Sequence, residues 1–269
     1  MSLLVVDALG KRFGGLQAIG DLSFEVRPGT VHAVIGPNGA GKTTLLNLLT
    51  GVYRPDQGRV VFDGRNLTGR PVHEWARAGL GRTFQNLQVF FNMSALENVM
   101  CGRHLHEHTG LLNALLRLEP MRWAEAATRR RAAELMHRVG IGAWLDARAD
   151  AMPYGALKRL EIARALAAEP RLLLLDEPAA GLNATEAREI DTLIRQIAAD
   201  GTTIVLVEHN MRLVMEVSDR VLVLDHGARL AEGTPQEVSR DPRVIEAYLG
   251  AEAADPPPRP QPAPEAHDA

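Results

Sequence analysis

Apolar residues along this chain follow two periods, and the way these alternate predicts the fold. Strand-like runs occur at 31–35, 59–63, 171–175, 202–207 and 221–224. Three of these runs are apolar along almost their whole length, which is typical of strands in a parallel sheet that is covered on both faces. Between two of the runs lies one apolar stripe at helical spacing, formed by Ile190, Leu193, Ile194 and Ile197. Strands that alternate with helices predict a mostly parallel α/β sheet.

The middle of the chain, about residues 93–168, has the helical period and no strand-like run. Apolar positions recur at helical spacing in two segments, Leu111-Leu112-x-x-Leu115-Leu116 and Ala132, Leu135, Met136, Val139. We therefore predict an α/β core at about 1–92 and 169–250, with a helical subdomain inserted at about 93–168. Within that insert, we interpret Arg129-Arg130-Arg131 as the solvated side of a helix.

Composition narrows the class of protein. The 269 residues carry a net charge of −3, so we do not expect the surface to be a general nucleic-acid or membrane binder. A single cysteine, Cys101, excludes an internal disulfide and suits a reducing cytosol. No apolar stretch approaches the ~20 residues that span a bilayer, and the N-terminus does not resemble a signal peptide. Residues 251–269 are rich in proline and lack an apolar period, so we predict a disordered tail.

A phosphate-binding motif follows the strand at 31–35. The segment reads Gly36-Pro37-Asn38-Gly39-Ala40-Gly41-Lys42-Thr43-Thr44, which fits G-x-x-x-x-G-K-[ST] at every fixed position. A strand before it and apolar residues at helical spacing after it place the loop at a helix start, where backbone N–H groups and the helix dipole favour an anion. Lys42 would reach the β- and γ-phosphates, and the Thr43 hydroxyl would bind Mg²⁺. The chain is therefore predicted to bind a nucleoside triphosphate.

Two further strands end in residues that suit phosphoanhydride hydrolysis. The run at 171–175 is followed by Asp176 and Glu177, and ligands gather at the carboxyl ends of strands in such sheets. Asp176 is placed to hold Mg²⁺ or its water shell, whereas Glu177 could polarise the attacking water as a general base. Another strand ends at Val207, and His209 beyond it could hydrogen-bond the γ-phosphate and the attacking water.

The segment at 152–166, Met-Pro-Tyr-Gly-Ala-Leu-Lys-Arg-Leu-Glu-Ile-Ala-Arg-Ala-Leu, carries a family motif. Here the chain resembles the ATP-binding-cassette (ABC) superfamily, in which a Leu-Ser-Gly-Gly-Gln signature precedes a basic helix like that of Arg159 to Leu166. The resemblance covers residues 1 to about 250, with every cassette motif in order. It implies one nucleotide-binding domain over 1–250 with the P-loop NTPase (RecA-like) ABC ATPase fold, including an N-terminal antiparallel β part and an inserted helical subdomain.

The resemblance also implies ATP with Mg²⁺ and a dimeric active unit. In that family two cassettes pair head to tail, and the signature of one caps the γ-phosphate held by the other. The signature corresponds here to Pro153, Tyr154, Gly155 and Ala156. The loop that crosses the dimer interface, the D-loop, corresponds to Asn183 and the residues before it.

Two more positions carry over from the family. Phe13 stands where an aromatic residue stacks on adenine, and the alternative is that Phe13 is a buried core residue of a strand. Gln85, in Gly81-Arg82-Thr83-Phe84-Gln85, matches the glutamine loop. In the family this glutamine contacts Mg²⁺ or its water and couples the site to the membrane subunits.

The signature departs from the family pattern. Pro153 replaces the serine, Tyr154 replaces a glycine, and in the D-loop Asn183 replaces the usual aspartate. A lost hydroxyl bond to a charged phosphate costs roughly 1.5–3 kcal/mol if nothing substitutes. A Pro-Tyr-Gly signature and an Ala-Gly-Leu-Asn loop are nevertheless similar to those of LivG-type subunits of branched-chain amino acid importers, as are residues 208–215 and the ending at 232–250. We interpret the departures as traits of that lineage.

The resemblance therefore implies the ATP-binding subunit of an importer for branched-chain amino acids. We expect it at the cytoplasmic face of the inner (plasma) membrane, with permease subunits docked on its helical subdomain and on about 82–100. It would pair with a second, LivF-like cassette or with itself, and a binding protein outside the membrane would deliver the amino acid.

Several alternatives remain at this point. The chain could serve another amino acid or amide, be a non-hydrolysing regulatory cassette, or be a soluble ABC ATPase acting on nucleic acid or ribosomes. Two cassettes in one chain or a long coiled coil would favour the last class, and neither is present. We therefore expect no nucleic-acid partner. Cys101, His104, His106 and His108 lie close together in sequence, but their spacing is poor for zinc and we predict no metal site there.

Overall fold

The computed structural model describes residues 1–104 and 119–254. The strands are β1 (Leu4–Phe13), β2 (Leu16–Val26), β3 (Val31–Ile35), β4 (Gln57–Phe62), β5 (Arg65–Asn66), β6 (Leu80–Arg82), β7 (Leu172–Asp176), β8 (Thr203–Val207), β9 (Arg220–Asp225) and β10 (Ala228–Gly233). The α-helices are α1 (Lys42–Leu49), α2 (Val72–Arg77), α3 (Ala95–Cys101), α4 (Glu119–Arg138), α5 (Tyr154–Ala167), α6 (Ala184–Ala199), α7 (Met211–Val217), α8 (Pro235–Val238) and α9 (Pro242–Ala254).

Two sheets form the α/β core. The larger has the order β10-β9-β3-β8-β7-β6, and its neighbouring strands are parallel except for β10, which pairs antiparallel with β9. The smaller sheet, β2-β1-β4-β5, is antiparallel throughout. The prediction of a mostly parallel sheet with an N-terminal antiparallel part is confirmed.

Strand β7 is apolar from Leu172 to Leu175 because both faces of the sheet are covered there. Leu173 and Leu175 of β7 belong to a core that includes residues of α5 and α6. Leu172 and Leu174, which alternate with them, pack in a second core with α1 and the antiparallel sheet. Side chains of successive strand residues point to opposite faces, so a strand between two cores needs an apolar residue at every position.

Helices α3, α4 and α5 pack together on one face of the sheet. Helix α4 buries the four apolar residues predicted for it, Ala132, Leu135, Met136 and Val139. Residues 129–131 are exposed on its other side, as expected for a solvated arginine run. The predicted helical segment at 111–116 lies outside the described residues.

Some predicted boundaries differ from the structure. The strand expected at 59–63 is β4, which spans Gln57–Phe62. The tail expected from residue 251 begins within α9, which continues to Ala254; residues 255–269 lie outside the described residues.

Candidate functional site

The predicted phosphate loop connects β3 to α1 at the carboxyl end of the parallel sheet. Gly41 caps α1 in the left-handed region, at φ 100°, and a Cβ added there would lie 2.6 Å from the carbonyl oxygen of Ala18. Gly36 has φ 153°, and its Cβ would overlap the carbonyl oxygen of Leu224. Only glycine fits these two positions. The loop therefore brings backbone N–H groups to the start of a helix, which is an arrangement that binds anions.

Lys42 lies over the inside of this loop. Its Nζ donates hydrogen bonds to the carbonyl oxygens of Gly36, at 2.6 Å, and Pro37, at 3.0 Å. Burial lowers the pKa of Lys42, and the carboxylates of Glu177 and Asp176 oppose that shift. The ammonium group is thus positioned between the loop and the two carboxylates, where a phosphate group would need a counter-charge.

The two acidic residues at the end of β7 have different surroundings. Asp176 is the last residue of the strand, and its side chain is 4% exposed. Glu177 has φ 49°, a conformation that costs a non-glycine residue about 1–3 kcal/mol. The Glu177 side chain is 18% exposed. The structure therefore separates a buried carboxylate from a more accessible one.

Asp176 is paired with an arginine that the sequence analysis did not select. Arg82 Nη2 lies 3.1 Å from Asp176 Oδ2, and the arginine side chain is 6% exposed. Arg82 Nη1 also donates to Asn47 Oδ1, at 2.7 Å, and to Thr50 Oγ1, at 3.2 Å. Burial raises the pKa of Asp176, whereas the hydrogen bond and charge of Arg82 lower it. The pair links the end of β6 to the end of β7 and to α1.

Glu177 is the centre of a cluster of predicted site residues. Gln85 Nε2 donates a hydrogen bond of 3.1 Å to Glu177 Oε2. His209 Nδ1 lies 3.8 Å from the same oxygen, and the His209 side chain is 63% exposed. Three residues that are far apart in sequence thus meet beside the phosphate loop at the carboxyl ends of neighbouring strands.

Phe13 lies at the end of β1 and is 43% exposed. Its ring contacts the edge of the Tyr53 ring at a centroid distance of 5.2 Å, and Lys11 Nζ lies 5.4 Å from its centroid. The alternative that Phe13 is a core residue is therefore wrong. An aromatic face with this exposure is available to a planar ligand.

The signature segment forms the start of α5. Pro153 is the N-cap residue, and the N–H groups of Ala156 and Leu157 both donate to its carbonyl oxygen at 3.0 Å. The first N–H groups of a helix have no partner within the helix, so those of Tyr154 and Gly155 are the ones positioned for an anion. Tyr154 is 44% exposed. A Cβ at Gly155 would lie 2.6 Å from Glu186 Oε1, so a larger residue there would displace the Glu186 side chain.

Asn183 is the N-cap of α6. Its Oδ1 accepts hydrogen bonds from the N–H groups of Thr185, at 2.9 Å, and Glu186, at 3.0 Å. Glu186 in turn accepts from the N–H of Asn183, which completes a capping box. Asparagine and aspartate cap helices about equally well, so the replacement of the family's aspartate keeps this local function.

Comparison with known proteins identifies the family. The sequence profile of the ABC transporter family matches residues 19–180. This chain belongs to the ABC transporter family. A second profile, described as branched-chain amino acid ATP-binding cassette transporter, matches residues 228–254.

Relatives with established names align with nearly the whole of this chain. The high-affinity branched-chain amino acid transport ATP-binding protein LivG of Salmonella typhimurium is 45% identical over 249 residues, covering 92% of this chain and 98% of LivG. BraF of Pseudomonas aeruginosa, with the same description, is 42% identical over the same shares. A nucleotide-free ATP-binding cassette from an ABC transporter superposes with a TM-score of 0.80 at 31% identity, covering 92% of this chain and 99% of that one. The ADP conformation of an ABC cassette gives the same score and identity over 93% and 99%.

Membership in the ABC family establishes the general activity. The chain is an ATP-binding cassette whose ATP hydrolysis is coupled to transport, and its partners include permease subunits. Within the described residues, the structure contains no helix that is both long and apolar enough to cross a bilayer.

Two charged residues of α5, which the sequence analysis missed, form hydrogen bonds with the backbone of the glutamine loop. Lys158 is 2% exposed, and its Nζ donates to the carbonyl oxygens of Gln85 and Glu177, each at 3.4 Å. Glu161 is 3% exposed, and its Oε1 accepts the N–H of Phe84 at 3.1 Å. No sequence pattern marks these two residues as buried, because charged residues are normally exposed.

Two of the four residues considered for a metal site, Cys101 and His104, lie at the end of α3 and just beyond it. Cys101 ends α3 and is exposed, and His104 Nδ1 lies 3.2 Å from the Cys101 carbonyl oxygen. His106 and His108 lie outside the described residues. Among the described residues, no group of three or more histidine, cysteine, aspartate or glutamate side chains is arranged to hold a metal ion.

Proposed function

We propose that this chain is the Mg²⁺-dependent ATPase subunit of an importer that takes up branched-chain amino acids through partner permease subunits. The observation that carries the proposal is the match of residues 228–254 to the branched-chain amino acid cassette profile. It stands at the end of a chain whose length aligns with LivG and BraF, both named for branched-chain amino acid transport. The chain would act at the cytoplasmic face of the inner membrane and would not touch the amino acid itself.

The proposed nucleotide site runs from Phe13 to the end of the phosphate loop. The exposed Phe13 ring stacks on adenine, and the N–H groups of Gly36-Pro37-Asn38-Gly39-Ala40-Gly41 with Lys42, Thr43 and Thr44 hold the phosphates. Support comes from the glycine conformations, which open the loop, and from Lys42 Nζ, which already lies among its carbonyl oxygens. Binding of ATP would exchange those carbonyl contacts of Lys42 for phosphate oxygens.

The side chains proposed for Mg²⁺ fit that ion. Thr43 is exposed at the start of α1, and together with Asp176 and Gln85 it offers only oxygen ligands. Oxygen donors with few protein carboxylates are what Mg²⁺ prefers beside a nucleotide. When bound, the ion would neutralise charge on the β- and γ-phosphates.

Hydrolysis is assigned to Glu177, His209 and Lys42. Glu177 accepts a proton from the attacking water, and its Oε2 is the oxygen that Gln85 and His209 approach. His209 hydrogen-bonds the γ-phosphate, so its position depends on whether that phosphate is present. Lys42 stabilises the charge on the transferred phosphoryl group.

A second cassette completes each site in this proposal. The N–H groups of Tyr154 and Gly155 have no partner within α5, and with Pro153 and Ala156 they would cap the γ-phosphate of a partner subunit. Asn183 would line the same interface. The partner is a LivF-like subunit or a second copy of this chain.

The proposed permease surface lies at residues 82–100. Three large aromatic side chains are exposed there, Phe84 at 41%, Phe90 at 49% and Phe91 at 46%. Phe84 and Phe90 border a cavity of about 680 Å³ between the glutamine loop and α5, whose Arg164 lies 5.6 Å from the Phe90 ring centroid. Exposed apolar patches of this kind mark contacts with other proteins.

Transport by the assembled complex tests the proposal. The chain, its permease subunits, its companion cassette and the binding protein would be reconstituted in vesicles, and uptake of radiolabelled leucine would be followed with and without ATP and Mg²⁺. We expect ATP-dependent uptake that excess isoleucine or valine competes away, and no uptake with Lys42→Ala. Uptake that only an unrelated amino acid or an amide competes away would contradict the substrate assignment while leaving the ATPase assignment intact.

A further inference from the structure

A buried carboxylate joins the two loops that carry the proposed hydrolytic residues. Glu208 follows the last residue of β8 and is 1% exposed. Its Oε1 accepts the N–H of Ala179 at 3.2 Å. Its Oε2 accepts the N–H groups of His209, at 3.2 Å, and Asn210, at 3.3 Å. Burial raises the pKa of Glu208, and these backbone hydrogen bonds oppose that shift.

The two sides of this carboxylate lead to different parts of the site. Ala179 lies in the turn that begins at Glu177, and Glu177 has the strained φ of 49°. Such a conformation persists only where neighbouring contacts restrain the chain. On the other side, His209 is the residue whose ring lies 3.8 Å from the Glu177 carboxylate. The Glu208 side chain thus restrains both the backbone that follows Glu177 and the backbone that carries His209.

We infer that Glu208 is a positioning residue for ATP hydrolysis, whose buried carboxylate fixes the loop of Glu177 to the loop of His209. The inference rests on the proposed function, since it assumes that Glu177 and His209 act on the γ-phosphate and the attacking water. An ionised carboxylate suits this position because both oxygens accept hydrogen bonds and all the groups they meet are N–H donors.

Glu208→Gln separates this role from simple burial of a side chain. The variant keeps the size and shape, but its NH₂ group must face either the Ala179 N–H or the N–H groups of His209 and Asn210. One connection is therefore lost while the fold is retained. Asp219→Asn is the matched control: Asp219 Oδ2 accepts the N–H of Val31 at 2.8 Å, the same kind of bond, at the opposite end of β3 from the phosphate loop.

The test measures kcat and KM for ATP hydrolysis by the full chain assembled with its permease, together with the Kd for ATP and the thermal unfolding midpoint. We expect Glu208→Gln to lower kcat by ~10–100-fold, since small misplacements of reacting groups cost that much, with KM and Kd within about twofold of wild type. Asp219→Asn should keep the wild-type kcat.

Two results would overturn the inference. The first is a wild-type kcat for Glu208→Gln. The second is a loss of activity that only follows a loss of folded, ATP-binding protein, because that would show a purely structural role. If the wild-type complex hydrolysed no ATP, the inference and the proposed function would fail together; if the wild type is active, the inference alone is tested.

Discussion

Acid should destabilise this protein through His32, a buried residue of the strand that leads into the phosphate loop. The side chain is 1% exposed, and no described residue gives its Nε2 a hydrogen-bond partner. The ring lies 5.7 Å from that of Phe24. Burial, with a smaller effect from the positive charge of Arg220, lowers the pKa of His32 from 6.5 to about 4.

The sign and size of the effect follow from this shift. In the unfolded chain His32 takes up a proton near pH 6.5, whereas in the folded protein it stays neutral down to about pH 4. The contribution of neutral His32 to the free energy of unfolding is therefore complete above pH 6.5 and is lost as the pH falls from 6.5 to about 4. Each pKa unit corresponds to roughly 1.4 kcal/mol. The free energy of unfolding should therefore fall by about 2 kcal/mol at pH 5, and by about 3 kcal/mol in total once the pH is below the folded-state pKa.

His32→Leu removes this titration with little change of shape. Urea unfolding of both proteins at about pH 7.5 and pH 5 measures the effect. We expect the wild type to lose about 2 kcal/mol more than the variant between these values. Glu161 and Glu208 have pKa values raised by burial, so their protonation favours the folded state in acid, but they are present in both proteins and cancel in the difference. An equal change of stability in the two proteins would refute the reasoning.

Further predictions concern the nucleotide site. Glu177→Gln should bind ATP normally and lose ~10²–10⁴-fold in kcat, measured by phosphate release and ATP binding; wild-type turnover would refute its assignment as the base. Phe13→Ala should weaken ATP binding by the ~1–3 kcal/mol of one stacked base, whereas Phe13→Tyr should not. Equal calorimetric affinities of Phe13→Ala and the wild type would contradict stacking. Arg82→Met should lose about 3–5 kcal/mol in urea unfolding, because Asp176 then stays buried without its partner; an unchanged midpoint would speak against that pair.

The phosphate loop and the strand-end residues were predictable because each is a short segment with a fixed spacing. The parallel strands were also predictable, since strands buried on both faces are made largely of apolar residues. Strand β1 was harder to locate because its pairing with β2 shifts register between Val6 and Leu9 and again before Arg12, and Ala8 there has a positive φ of 48°. These irregularities interrupt the two-residue alternation by which a half-buried strand is recognised.

Buried charges account for most of what the sequence analysis missed at the site. Arg82, Lys158, Glu161 and Glu208 are all largely inaccessible. Charged residues are normally exposed, so a sequence pattern gives no reason to place them inside. Each has at least one partner that is distant in the chain, as Arg82 has in Asp176, and such a contact exists only once the chain has folded.

In the proposed function, two cassettes clamp one ATP between the phosphate loop of one and the Tyr154-Gly155 helix start of the other. The most direct measurement is the mass in solution of Glu177→Gln, alone and with its companion cassette, with ATP and Mg²⁺ and again after chelation. We expect a dimer only when ATP and Mg²⁺ are both present, and no dimer when Lys42→Ala is also introduced. ATP hydrolysis by an isolated wild-type monomer, or saturating ATP binding with no change in mass in either mixture, would contradict it.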